Sequence, residues 1–200
     1  MTPQEIADKV QKQFGDAVLE FDGEAPDPVI KVNPDAWFDI CQFLKTDADL
    51  QFDNLVCLSG FDYGAGKDLG IIIHLYSFPK RHSIAVKADL PRENPHIRSI
   101  ESLWRTADWH EREVFDLYGV VFDGHPDLRR ILCPDDWEGY PLRKDYQVQE
   151  FYHGIRVPYK EDWEQFDTFL KNPRRGHFVY QFERTLPANG NAKPKEKPSS

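Results

Sequence analysis

The stretch LGIIIHLYSFPKRHSIAVKADL, residues 69–90, contains two runs that are rich in β-branched and large apolar residues. Such runs predict strands at residues 69–78 and 82–90. A third strand is predicted before them, at residues 54–59. The short connections between these three segments suit antiparallel neighbours better than crossover helices. The stretch therefore predicts the centre of a β-sheet.

The segments around this sheet predict helices and two more strands. Thr2 and Glu5 form a capping box with Pro3 between them, so a first helix begins there and ends at Gly15. Further strands are predicted at residues 17–21 and 29–32, and further helices after residue 33, at 95–105 and at 109–118, the last capped by Asp108 and ended by Gly119. This order predicts an α+β fold in which a mixed β-sheet packs against helices.

Beyond Gly124, prolines interrupt the pattern while charged and aromatic residues stay dense. Residues 137–182 contain twelve aromatic side chains, too many for a solvated loop and too irregularly placed for a second core. We therefore predict a core domain over residues 1–124, a long extended C-terminal arm that binds a partner over residues 125–185, and a flexible tail over residues 186–200.

The composition disfavours several classes of protein. A net charge of −9 argues against nucleic acid as a partner. No run of about 18 apolar residues occurs and the N-terminus lacks the order of a secretory signal, so we expect a cytoplasmic chain whose membrane contact is indirect. Cys41, Cys57 and Cys133 are spaced too widely for a disulfide framework or a CxxC site and are expected to be reduced thiols.

Two stretches match binding motifs only in part. GFDYGAGKD, residues 60–68, lacks the glycine and hydroxyl positions of a phosphate-binding loop, so it predicts a glycine-rich hairpin or loop. HEREV, residues 110–114, has valine where the zinc motif HExxH has its second histidine. The sequence therefore predicts neither a phosphate loop nor a zinc site at these positions.

The helix predicted at residues 109–118 carries a carboxylate on its apolar face. At 100° per residue, Glu111 lies in the middle of the face formed by Val114, Phe115 and Tyr118. Burying it unpaired would cost several kcal/mol, so we expect a partner. The candidates are a residue of another subunit or the guanidinium of Arg129, Arg130 or Arg143.

A second interpretation makes Glu111 a general acid with a raised pKa, although no substrate-binding constellation accompanies it. On the opposite side of the same helix, Arg112 and Asp116 are expected to pair at i, i+4. Residues 125–144 then combine balanced charge with aromatic side chains. This combination predicts a docking surface rather than a solvated loop network.

Two strings, WHEREVFDLYG at residues 109–119 and FDGHPDLRRIL at residues 122–132, closely resemble the signature of a known family. It is the thirty-kilodalton subunit family of respiratory complex I, which includes the C subunit of bacterial NADH-quinone oxidoreductase. The resemblance extends over about residues 33–147, and Tyr140 is a small departure where relatives often have histidine. The signature falls without a gap on Glu111, Arg112, Glu113, Asp116, Leu117, Tyr118, His125 and Arg129.

The resemblance implies a structural and assembly subunit in the peripheral arm of a proton-translocating NADH:quinone oxidoreductase. FMN, iron–sulfur clusters and quinone would belong to other subunits, and this chain would hold no cofactor and no catalytic residue. It would bind the D subunit, which is of the forty-nine-kilodalton type, and the small iron–sulfur B subunit on the cytoplasmic side of the bacterial inner membrane. The expected structural signature and partner interface consist of Glu111, Arg112, Glu113, Asp116, Tyr118, His125, Arg129, Arg130 and Arg143.

Two other functions stay open at this point. Similar subunits occur in membrane-bound hydrogenases and in quinone reductases fed by other donors, so this chain does not determine the electron donor. A free-standing enzyme would use Glu111 and His125 as an acid and base pair.

Overall fold

The computed structural model describes residues 1–157. Residues 1–149 form one compact unit, so residues 125–149 belong with the predicted core. The second unit begins at Glu150, and its described part is a hairpin of two short antiparallel strands. Residues 158–185 of the predicted arm and the whole predicted tail lie outside the described residues. Within the described part of the chain, no helix is long and apolar enough to span a bilayer.

Five strands form the central sheet, in the order β1-β2-β5-β4-β3. The strands β3, β4 and β5 are antiparallel neighbours, as predicted, whereas β2 runs parallel to β5. The prediction of an α+β fold with a mixed sheet is therefore confirmed. The strand bounds are β1 Val18–Asp22, β2 Val29–Val32, β3 Asn54–Asp62, β4 Leu69–Ser77 and β5 His82–Leu90.

Two helices, α1 (Pro3–Phe14) and α2 (Trp37–Thr46), bury their apolar sides in the same core as the sheet. The predicted capping box is present, because Thr2 Oγ1 accepts from the amide of Glu5 while the Glu5 carboxylate accepts from the amide of Thr2. A 3₁₀ turn over residues 34–36 precedes α2, so this helix begins later than predicted.

The prediction of a helix at residues 95–105 is wrong. Only a short strand forms there, β6 (His96–Arg98), and it pairs in parallel with β7 (Val121–Asp123). Pro95 has no amide to donate, and its carbonyl accepts from the amide of Val121 at 2.8 Å. The apolar residues still face the core. The prediction failed because apolar spacing over a short window does not distinguish a helix from a strand followed by turns. The buried apolar residues here are Ile97, Ile100 and Trp104.

The third helix, α3 (Ala107–Tyr118), lies against β3. It begins earlier than predicted, so Asp108 is inside its first turn and does not cap it, whereas it ends at Gly119 as expected. A Cβ on Gly60 of β3 would lie 2.8 Å from the Tyr118 ring and 2.9 Å from the Val114 side chain. Glycine at position 60 therefore allows the helix to approach the sheet closely.

The glycine-rich stretch of residues 60–68 completes β3 and then turns into β4 as a hairpin loop, as predicted. The three cysteines, all within the described residues, are free. Cys41 is buried in the core, and Cys57 and Cys133 are half-buried.

Candidate functional site

The predicted site residues lie on α3 and in residues 125–146, a segment that we call the strap because it is hydrogen-bonded along the helix. Most of these residues face inward, so the signature forms the junction of the helix with the strap. Glu111, Arg112 and Asp116 are buried, Tyr118, Arg130 and Arg143 are half-buried, and Glu113 and Arg129 are exposed. His125 exposes only its backbone, since its side chain is completely buried.

Asp116 is fully buried and joins α3 to the strap. Its Oδ2 accepts three amides, those of residues 131–133, at 2.7–3.0 Å, and its Oδ1 accepts from Arg130 at 2.8 Å. Burial by itself would raise the pKa of Asp116, but the amides and the guanidinium outweigh it, so this pKa lies below its usual value. Asp116 therefore stays ionised and holds the first half of the strap in place.

The predicted ion pair between Arg112 and Asp116 does not form. The guanidinium of Arg112 lies over the Trp109 ring, 4.7 Å from its centroid, and its Nε donates to the carbonyl of Arg129 at 3.4 Å. The strap covers this side of the helix and supplies both side chains with other partners. A helical wheel contains no information about a segment that folds back from later in the chain.

The strap also satisfies three of the four carbonyls at the C-terminal end of α3. The last four carbonyls of a helix have no partner within the helix and need donors from elsewhere. Here each carbonyl of residues 115–118 accepts a hydrogen bond, and two of the donors are cationic side chains that complement the helix dipole. The donors, in the order of the carbonyls, are the amide of Gly119, Arg130, the amide of Leu142 and Arg143 Nε, at 2.9, 3.2, 3.1 and 2.6 Å.

Tyr140 packs over this helix end. Gly119 has a left-handed φ of 72°, and a Cβ at this position would overlap the Tyr140 ring. The guanidinium carbons of Arg143 and Arg130 lie 4.6 and 5.6 Å from the centroid of the same ring. Tyrosine at position 140 thus fills the space above the glycine and stacks against both arginines.

Glu111 is paired differently from the prediction. Among residues 1–157 no arginine bonds to it, which makes the expected guanidinium partner wrong. Its Oε2 accepts from the hydroxyl of Ser99 at 2.6 Å and its Oε1 accepts from the amide of Ile100 at 2.8 Å. These donors come from the turn after β6, where the sequence had predicted a helix whose own bonding would have occupied the amide of residue 100.

The ionisation of Glu111 differs from that of an ordinary glutamate. Burial raises its pKa to about 7, against the lowering effect of its two hydrogen bonds, and the nearby carboxylates of Glu101 and Asp108 raise it further. The side chain of His125 is also fully buried. Its Nδ1 accepts from the amide of Asp127, which places the neutral ring's proton on Nε2, 3.9 Å from Glu111 Oε2.

A second buried polar cluster was missed by the sequence analysis. Arg92, which follows β5, donates to Asp62 at the end of β3 and, at 2.9 Å, to Asp145 in the strap. Asp62 also accepts from the amide of Lys144 at 2.8 Å. We call Asp62, Arg92 and Asp145 the clip. No sequence pattern could have indicated it, because its members are separated by 30 and 53 positions.

Comparison with known proteins gives a family. The family described as "Respiratory-chain NADH dehydrogenase, 30 Kd subunit" matches residues 30–152, which contain α3, the strap and the clip. The chain belongs to this family. The extent of the match agrees with the resemblance expected from the two signature strings.

Two relatives are named as the C subunit of NADH-quinone oxidoreductase. The Chloroherpeton thalassium protein is 53% identical over 160 residues, which cover 78% of this chain and 66% of the relative. The Chlorobium phaeobacteroides protein is 51% identical over 154 residues, which cover 76% and 93%. The chain thus spans just under two thirds of the first relative and nearly all of the second.

Two solved structures share the fold. A trypsin-resistant fragment of Nqo5 aligns over 64% of this chain and 100% of its own length, with a TM-score of 0.55 and 23% identity. A chain of an archaeal membrane-bound sulfane sulfur reductase, a respiratory membrane complex, aligns over 93% and 100%, with a TM-score of 0.62 and 17% identity. At these identities the likeness concerns the fold alone.

In this chain, Asp116, Arg130 and Arg143 among the predicted signature residues bond α3 to the strap, whereas Glu111 bonds the turn after β6. Among residues 1–157, no group of three or more His, Cys, Asp or Glu side chains is placed to hold a metal ion. The predicted role of the exposed Glu113 and Arg129 in a partner interface stays a prediction.

We expect Asp116→Asn to lower the free energy of unfolding by about 3 kcal/mol, because an amide cannot accept from three backbone N–H groups and a guanidinium at once and leaves Arg130 half-buried without its charge partner. Urea unfolding of the purified chain measures this. Asp127→Asn, at an exposed aspartate that forms an ion pair with Arg129, is the matched control and should leave the urea midpoint nearly unchanged. Equal losses in the two variants would contradict the anchoring role of Asp116.

We expect Glu111 to make stability fall as the pH rises from about 4.5 to 7. Below this range the carboxyl is protonated in both the folded and the unfolded chain; within it, only the unfolded chain releases the proton, so the free energy of unfolding decreases, by up to ~3 kcal/mol in total. Glu111→Gln keeps a neutral side chain at this position and should remove that decrease.

The measurement is the difference in unfolding free energy between the wild-type chain and Glu111→Gln at several pH values. Glu113→Gln, an exposed substitution on the same helix, should follow the wild-type curve. A Glu111→Gln curve parallel to the wild-type curve across pH 4.5–7 would show that this carboxyl does not titrate there.

Proposed function

We propose that this chain is a structural and assembly subunit in the peripheral arm of a proton-translocating NADH:quinone oxidoreductase, and that it carries none of the redox cofactors itself. Its partners in this proposal are the D subunit and the small iron–sulfur B subunit. FMN, the iron–sulfur clusters and quinone belong to other subunits, and the chain attaches peripherally to the cytoplasmic face of the inner membrane. Family membership supports the assignment to this class of enzyme complex.

The observation that carries the proposal is how the signature residues use their polar groups. Asp116 and Arg130 direct theirs to the strap and to the end of α3, and the Glu111 carboxylate bonds Ser99 and Ile100 inside the core. A catalytic group has to reach a substrate, but these side chains are committed to holding one segment against another. This use supports a scaffold more than an active site.

The outward-facing part of the same region supports partner binding. Trp109 is 62% exposed, and one face of its ring stacks on the guanidinium of Arg112. The same guanidinium donates to the carbonyl of Arg129, whose side chain is exposed. Exposed tryptophan and arginine are frequent anchors of protein interfaces. The helix α3 and the strap, which are hydrogen-bonded to each other, therefore present a surface on which a neighbouring subunit can dock.

A free-standing enzyme that uses Glu111 and His125 has less support. His125 Nε2 and Glu111 Oε2 are 3.9 Å apart, beyond hydrogen-bonding distance, and both side chains are completely buried. Catalysis by the isolated polypeptide that is abolished by Glu111→Gln would be needed to favour it. Membership in a related complex, a membrane-bound hydrogenase or a quinone reductase fed by another donor, stays the closer alternative, since a chain of similar fold occurs in a different respiratory membrane complex, an archaeal sulfane sulfur reductase.

The test is to tag the chain in its host, solubilise the membranes gently and separate the complexes on a native gel with mass spectrometry. Migration with flavin and iron–sulfur subunits in a band that oxidises NADH supports the proposal. Migration with a hydrogenase or another donor module would replace the reaction while keeping the scaffold role. A lone small species would refute assembly.

We expect Arg129→Ala to reduce the amount of assembled, NADH-oxidising complex several-fold while leaving the unfolding midpoint of the isolated chain unchanged. The Arg129 side chain is 66% exposed and forms its ion pair with Asp127, which is itself exposed, so its loss removes an interface cation and no core contact. Arg105→Ala is the matched control, because Arg105 is 86% exposed and also pairs with a nearby acid, Glu101.

Native-gel activity staining per unit of this subunit gives the result for both variants. Normal assembly of the Arg129→Ala chain, or loss of turnover in a fully assembled complex with normal cluster content, would contradict an interface role for this residue.

A further inference from the structure

The clip joins three parts of the chain that are far apart in sequence. The side chains of Asp62 and Arg92 are 1% and 8% exposed, so the ion pair between them is almost completely buried. Asp145, on the strap, is partly exposed and completes the cluster at 2.9 Å from Arg92. The end of β3, the segment after β5 and the end of the strap therefore meet at one buried guanidinium.

Every link in the clip is directional. Arg92 also donates to the carbonyls of Lys67 and Gly64, at 2.6 and 2.7 Å, while Asp62 accepts from the amides of Gly64 and Lys144, both at 2.8 Å. Hydrogen bonds of this kind weaken steeply when the donor and acceptor are displaced or turned. The hydrogen bond to Asp62 consequently fixes the position and the direction of the Lys144 amide relative to the sheet.

A buried ion pair is a poor choice if stability alone is required. The desolvation of two charges offsets most of their attraction, and well-packed apolar residues of similar size often stabilise a fold as well or better. What such a pair adds is a single arrangement, since an apolar contact tolerates sliding and a hydrogen-bonded guanidinium does not. The chemistry of the clip therefore points to positioning.

The place of the clip along the chain indicates what is positioned. Upstream, the amide of Leu142 and the side chain of Arg143 are bonded to the end of α3, and the clip adds bonds at the next two residues, Lys144 and Asp145. The compact unit ends at Gln149. Among the described residues, the clip is thus the last side-chain anchor of the strap before the boundary at residue 150.

We propose that Asp62, Arg92 and Asp145 are positioning residues that set the place and direction in which the chain leaves the core for its partner-binding C-terminal segment. This inference rests on the proposed function, because the partner is a neighbouring subunit of the same complex. The clip stays formed at all physiological pH values. Burial would raise the pKa of Asp62, but Arg92 and the amides of Lys144 and Gly64 outweigh it and hold the pKa at about 2.

The first test replaces the buried pair by apolar residues, Asp62→Leu with Arg92→Met, in the full-length chain. This variant separates the two roles of the pair, because apolar side chains can preserve the stability of the fold but cannot fix the position of the strap. We expect its thermal midpoint to stay within about 4 °C of the wild type, amide hydrogen exchange at residues 142–146 to accelerate at least tenfold, and the amount of assembled complex to fall at least fivefold. Wild-type exchange or wild-type assembly would overturn the proposal.

The matched control is Lys31→Met with Asp89→Leu, which removes an ion pair between neighbouring strands of the same sheet, β2 and β5, without touching the strap. It should leave exchange at residues 142–146 and assembly unchanged. A fall in assembly equal to that of the clip variant would show that loss of another ion pair on the same sheet produces the effect, which would overturn the positioning role.

Asp145→Ala decides the question if the double variant does not fold. This variant removes only the partly exposed link and leaves the buried pair intact, so the thermal midpoint should not change. Amide exchange at residues 144–146 should accelerate about twofold, and the amount of assembled complex should fall about twofold. Normal values for both would overturn the proposal. The exchange measurement on the isolated chain also separates the two hypotheses, because it tests the clip even where the wild-type chain joins no complex.

Discussion

The C-terminal end of α3 is the constraint on which the rest of this region depends. A helix that ends inside a protein leaves four carbonyls to be satisfied, and this one also buries the carboxylate of Asp116 in its last turn. The amide of Gly119 satisfies one of these carbonyls, and one segment, the strap, supplies the amides and the two guanidiniums for the other three and for Asp116. Because the strap's donors come from residues 130–143, the strap cannot move away without leaving several buried polar groups unpaired at once.

This dependence explains the chemistry of the signature residues in this chain. Asp116 on the helix is matched by Arg130 in the strap, and Gly119, which ends the helix, is matched by the ring of Tyr140 that packs over it. Each pair joins a helix position to a strap position. These residues therefore bond two segments to each other, and the two segments together carry the exposed side chains of Trp109 and Arg129.

The sequence predicted those parts of the fold that depend on neighbours along the chain. The capping box at Thr2, the antiparallel strands β3 to β5 and the end of α3 at Gly119 all follow from residues a few positions apart. The errors lie where a distant segment intervenes. The stretch at 95–105 forms no helix because β7 and Glu111 take its backbone groups, and the clip could not be predicted because its three residues meet only in the folded chain.

Two buried carboxylates on one helix show how much the donors matter. Glu111 and Asp116 are equally inaccessible to solvent, yet the pKa of Glu111 is raised to about 7 and that of Asp116 is lowered. Asp116 has three amides and a guanidinium, whereas Glu111 has one hydroxyl, one amide and two carboxylates nearby. Depth in the protein and donors therefore set the charge of a buried acid together. Glu111 is the more strongly desolvated and has few donors, whereas Asp116, which faces the strap, has enough donors to keep its pKa low.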